Sequence, residues 1–187
     1  MKSLKANIIF SSFLVLLFLS SCKKEDCGDP TSLTDPVYFQ FEAKNYAWGI
    51  FHAGWFIDQN GNFDYFNLPD PWKEPDSLGY ISKNDLLTNL EQADSVVYSI
   101  SMHELQNKVS LIDDIDENKL SEIEQVAADT GTSSLYCYKW DNVKGKYKRI
   151  ILETEGDFRQ FNLDPEAQEL ASWLIALGKE GGILDWH

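Results

Sequence analysis

The stretch Tyr46-Ala47-Trp48-Gly49-Ile50-Phe51-His52-Ala53-Gly54-Trp55-Phe56-Ile57 is followed by Asp58-Gln59-Asn60-Gly61-Asn62 and then by Phe63-Asp64-Tyr65-Phe66. The first run is apolar on both faces, which suits a central strand covered from two sides. Asn60-Gly61 then separates it from a second strand-like run. Asn-Gly favours a type I′ turn, which needs positive φ at both central residues, so a hairpin is predicted here. An antiparallel sheet follows from that hairpin.

Outward from it, Val37-Tyr38-Phe39-Gln40-Phe41-Glu42 alternates at period two, the pattern of a half-buried strand. Residues 67–80 form a loop rich in Pro and Asp that contains Trp72. Ser82 opens a predicted helix over 84–93, with Leu86, Leu87 and Leu90 on one side, and 96–100 reads as a short strand. Ser101-Met102-His103-Glu104 has capping-box spacing and starts a helix to about Ile112. Asp113-Asp114-Ile115-Asp116-Glu117 is an acidic connector into a second predicted helical stretch ending near Ala128. Strands are predicted over 135–140 and 147–154, with a short edge at 158–162. The last helix has Asp164 as N-cap and Pro165 at its first position, with Ala167, Leu170, Ala171, Leu174 and Ile175 in one stripe up to Gly178. The expectation is an α+β domain over residues 37–187, an antiparallel sheet of about five strands with three to four helices packed on it.

Composition narrows function by exclusion. The chain has 187 residues, 43% hydrophobic and 25% charged, which is the make-up of a globular domain rather than a low-complexity or collagen-like chain. Its 16 basic and 30 acidic residues leave a net charge of −14, which argues against nucleic acid as a partner and for a basic one.

The first residues read as an address. Lys2 and Lys5 make a positive start, and an apolar run from Ile8 to Leu19 follows, too short to span a bilayer as a mature helix. Then comes Leu19-Ser20-Ser21-Cys22, which resembles a bacterial lipobox. The resemblance implies a signal peptide over residues 1–21, cleavage before Cys22, and diacylation (a palmitate-type modification) of the Cys22 thiol. Two or three acyl chains hold a membrane where one does so only marginally. Lys23-Lys24-Glu25-Asp26 is similar to the Lys-then-acidic export signal of Bacteroidota lipoproteins, which implies the outer membrane and favours its outer face over the periplasmic one. Tyr46-Ala47-Trp48-Gly49 and Phe66-Asn67-Leu68-Pro69 resemble uncharacterised lipoproteins of that phylum, which carries no activity with it. Residues 22–36 read as a flexible tether.

Cys27 and Cys137 remain; in an oxidising compartment they could pair, while Cys137, set among aromatics, reads equally well as a small buried hydrophobe. Asp58, Asn60, Asn62 and Asp64 have the spacing of a calcium loop, but the glycine is fourth rather than sixth and position twelve is Pro69, so a plain turn is the better reading. His52, His103 and His187 show no zinc spacing, and no metal or cofactor is expected. His52 is expected as a hydrogen-bonded structural residue of a strand, with ligand contact as the alternative. Trp72 is either a plug folded back on the core or a ring exposed for recognition. Asp76-Ser77-Leu78 and Asp94-Ser95-Val96 resemble the O-glycosylation acceptor of Bacteroidota, with Ser77, in a loop, the better candidate.

No nucleophile elbow, phosphate loop or dinucleotide fingerprint occurs in the sequence. The functional expectation is therefore a membrane-anchored, non-enzymatic binding module for a protein or glycan ligand. The alternatives are a small lipid-tethered hydrolase, with His52 and a carboxylate as its acid–base pair, and an inhibitor or immunity-type protein for a basic partner.

Overall fold

The computed structural model describes residues 33–182. Among them the strands are β1 (Val37–Asn45), β2 (Phe51–Asp58), β3 (Asn62–Asn67), β4 (Tyr80–Ile81), β5 (Ser95–Ser99), β6 (Glu124–Gln125), β7 (Thr132–Asp141), β8 (Lys146–Gly156) and β9 (Phe158–Phe161). The helices are α1 (Lys83–Leu90), α2 (Met102–Val109) and α3 (Pro165–Glu180). All strand pairs are antiparallel, in the order β5-β3-β2-β1-β7-β8-β9-β6, with β4 paired to β8. The α+β class stands; the sheet has eight to nine strands rather than about five. The additions are short edge pieces such as β4 and β6, two residues each, which are too brief to show a hydrophobic period.

The pleat divides the buried side chains between two faces. On the helix face, Phe39, Phe41, Trp55, Ile57, Phe63, Leu135, Cys137, Ile150 and Leu152 pack against Leu105 of α2 and Ala167, Leu170, Leu174 and Leu177 of α3. On the loop face, Val37, Phe56, Phe66, Tyr138 and Tyr147 pack against Leu86 of α1, Ile81 and Trp72. Each fully buried aromatic or aliphatic side chain contributes on the order of 2–3 kcal/mol of transfer free energy. Trp173 of α3 sits edge-on to Phe39 and donates its indole N–H to Glu104 Oε1 of α2 at 2.9 Å, so the helices are fastened to each other as well as to the sheet.

Caps form where the sequence places them. The Ser82 and Ser101 hydroxyls accept from the Asp85 and Glu104 amides, and Asp164 accepts from the Glu166 amide. Four local expectations are corrected. The hairpin after β2 is not type I′: only Gly61 has positive φ, 79°, and the Gly61 amide donates to the Asp58 carbonyl, giving a three-residue loop that ends in a left-handed glycine. Asp58 explains why. Its two carboxylate oxygens accept from the amides and side chains of Asn60 and Asn62, which holds Asn60 in an ordinary turn conformation and uses up the oxygens a cation would need.

The second helical stretch after the acidic connector does not form. A 3-10 turn spans Ile112–Asp114, and the chain then runs along β9, with the Ser121 amide donating to the Phe161 carbonyl. Its backbone bonds go to that strand and to Asp157 instead of to a helix, and Ile123 and Val126 are left exposed. Helix α3 does not stop at Gly178, which is buried inside it; the chain turns at Gly181–Gly182. Finally, the strand expected from Tyr46 begins only at Phe51.

Residues 33–36, assigned to the tether by sequence, are fastened to the domain. The Tyr38 hydroxyl accepts from the Thr34 and Asp35 amides, and the Tyr147 hydroxyl donates to Asp35.

Candidate binding site

Because β2 begins at Phe51, residues 46–50 form the β1–β2 connection and stand out from the sheet. Trp48 is 84% exposed, Ile50 77% and Tyr46 64%, with Phe51 half exposed beside them. Contiguous exposure of this kind marks interaction surfaces. The tip is nevertheless held. The Asn45 side chain accepts from the Ala47 amide and donates to the Asp129 carbonyl, and the Trp48 indole N–H donates to that same carbonyl at 3.2 Å.

Below the tip the sheet register lays small side chains in one row. Ala53 of β2 stands opposite Ala43 of β1, Ala43 opposite Ser133 of β7, and Ser133 opposite Glu155 of β8. The next row is large: Trp55, Phe41, Leu135 and Glu153. Helix α3 covers the core beyond the large row, and its C-terminal end stops at the trough, with Gly182 and Lys179 on its walls. The result is a trough across four strands, about 14 Å from β2 to β8 at ~4.8 Å per strand gap. It comprises a cavity of about 810 Å³ under Trp48, Phe51 and Tyr65, and one of about 680 Å³ beside Glu153, Glu155 and Arg159, which meet at Thr130, Thr132 and Ser133. Burial, together with the charge of Glu155, raises the Glu153 carboxyl above its ordinary value.

The sequence candidates His52 and Trp72 are brought together on the opposite face. His52 is 6% exposed, its Nε2 lies 2.9 Å from Glu42 Oε1, and the Trp72 ring stands edge-on to it at 4.7 Å between centroids. Trp72 also packs on Phe66 and Phe56, which makes it the plug. Burial alone would raise the Glu42 carboxyl, but the hydrogen bond with His52 and the charges of Lys44 and Arg149 outweigh it and hold it below the usual range. Lys44 and Arg149 both reach Glu74 as well, and the Arg149 guanidinium stacks on Tyr136. The network is therefore closed: every charge in it is spoken for by another.

Ser77 is exposed at the tip of a turn in which the Gly79 amide donates to the Asp76 carbonyl. Cys137 is fully buried in the helix-face core, where desolvation pushes its thiol far up. Cys22, Cys27 and His187 lie outside the described residues, as does the signal peptide. Among the described residues no group of three or more His, Cys, Asp or Glu side chains could hold a metal ion, and no helix is long and apolar enough to cross a membrane.

Sequence reasoning counts Trp48 among aromatics able to form a platform for a sugar or an extended peptide, but reads most of them as core, because an unbroken apolar run looks like one strand. The available signal was Asn45 and Gly49, turn-forming residues bracketing Tyr46 to Trp48. No family model matches the chain, and neither a curated protein nor a solved structure matches it.

Proposed function

We propose that the chain is an acylated lipoprotein of the outer membrane, displayed on its outer face, that works as a binding module for a glycan or protein ligand. The observation that supports the binding half is Trp48: a ring 84% exposed whose N–H is nevertheless tied to the Asp129 carbonyl. A ring restrained by a hydrogen bond has less freedom to lose when a ligand stacks on it. The anchoring half rests on the lipobox at residues 19–22 and the charged residues that follow. Topology supports the combination. Strand β1 starts at Val37, just after the fastened residues 33–36, and runs nine residues to Asn45, about 30 Å, so the tip stands at the end of the domain opposite the one where the described chain enters.

One observation favours the hydrolase reading, the 2.9 Å contact between His52 and Glu42. Against it, both groups are buried under Trp72 and Glu42 already carries Lys44 and Arg149. A net charge of −14 supports the third reading, cover for a basic partner.

Two measurements test the proposal. Cys22→Ala should abolish incorporation of an alkyne-tagged palmitate and move the protein from the membrane pellet to the supernatant; a variant still in the pellet overturns the anchor. A photo-crosslinking residue replacing Trp48 on intact cells should form adducts, whereas the same residue replacing Val143, exposed in the β7–β8 turn at the tether end, should form none. Equal labelling at both positions overturns the binding face.

A further inference from the structure

Resting on the binding reading above, we infer that the ligand is an oligosaccharide laid across the strands, from Trp48 at one end of the trough to Glu153 and Glu155 at the other. The floor rules against the usual peptide mode. Ala53, Ala43 and Ser133 lie on β2, β1 and β7, internal strands whose two edges are both paired, so they offer no free backbone ladder to an extended peptide. What the floor offers is a shallow, small-residue channel beside broad aromatic surfaces.

Trp48, Phe51 and Tyr65 border the first cavity, and an exposed indole face suits the flat C–H face of a sugar ring. The second cavity changes character. Glu153 accepts and Lys179 donates, Arg159 and Glu155 are paired with each other at 3.2 Å but keep further donor and acceptor positions, and the Thr130 hydroxyl, which donates to Asp157, retains acceptor capacity. Both signs of charge within one short channel would repel part of any strongly charged ligand. They suit hydroxyl groups, each of which donates and accepts. Each cavity has the volume of a single small-ligand site, and the two are continuous through Thr130, Thr132 and Ser133, so the occupant is longer than one ring.

The test applies the full-length acylated chain, in detergent micelles, to an array of neutral, acidic and amino-sugar oligosaccharides. Retention of a related set of oligosaccharides of two or more rings is expected. Trp48→Ala should weaken it about tenfold or more, equivalent to ~1.4 kcal/mol, with Trp48→Tyr retaining most of it. The double change Glu153→Gln with Glu155→Gln should weaken it about threefold to tenfold. Urea midpoints close to the wild type confirm that the variants fold. Retention unchanged in Trp48→Ala overturns the inference. No retention together with protein adducts at position 48 overturns the glycan and leaves the binding module standing. Neither retention nor adducts overturns both.

Discussion

At Gly54 a single hydrogen atom holds two elements in place. A Cβ there would lie 2.1 Å from the Phe41 carbonyl oxygen and 2.7 Å from Phe66 Cζ, so strands β1 and β2 and the ring of β3 close up only over a glycine. Gly54→Ala is expected to destabilise the chain by about 1–3 kcal/mol, the range for overpacking a tight site, because the oxygen in the way is backbone and cannot rotate aside. A urea melt checks it. Sequence showed this glycine inside an apolar run but could not show its neighbour, since Phe66 comes twelve residues later and meets it only through the β2–β3 register. The same holds for Glu42. By sequence it is the polar end of an alternating strand; in the fold it is the buried acceptor of His52, Lys44 and Arg149.

Among the elements, α3 was the most legible and is the most consequential. Its N-cap Asp164 accepts from the Glu166 amide and pairs with Lys119 at 2.9 Å, and this pairing holds the Asp164 carboxyl down to about 2. Asp164→Ala should therefore cost about 1 kcal/mol through the lost cap. Leu170→Ala, on the buried stripe, should cost about 2–5 kcal/mol. The two variants compared in one denaturant series separate capping from packing; a larger loss at Asp164 than at Leu170 would mean that α3 is held by its end rather than by its face. The stretch from 115 to 128 was illegible for the complementary reason. Its apolar residues, Leu120, Ile123 and Val126, recur every three positions as in a helix, but the open edge of β9 captures the backbone first. Local pattern decides an element only where a face exists to cover it.

Over the whole molecule, acidity shapes stability. Asp64 is raised to about 6 by burial and by the charge of Asp58. Its neutral form is favoured by folding, so its contribution is complete below the ordinary carboxylate value near 4 and is lost as pH rises through about 6. Glu42 and Asp164 are depressed; what they contribute is present above about pH 4 and is lost as pH falls through their folded values. The expected profile has its maximum in mildly acid solution. Asp64→Asn should flatten the fall between about pH 4 and 6 while leaving the acid limb in place. Thermal melts across pH 3 to 8 check this; an unchanged fall in Asp64→Asn would assign it to another group.

The chain's own letters determined the α+β class, the antiparallel hairpin, the caps and stripe of α3, and the acidic surface, because each depends on neighbours a few residues apart. Only the tertiary structure decided that Trp72 is a plug, that His52 belongs to a closed ion network, and that Trp48 stands in the open. Those outcomes depend on which strands become neighbours. Ala43, Ala53, Ser133 and Glu155 are scattered over more than a hundred positions, and it is the pairing of β2, β1, β7 and β8 that sets them in one row.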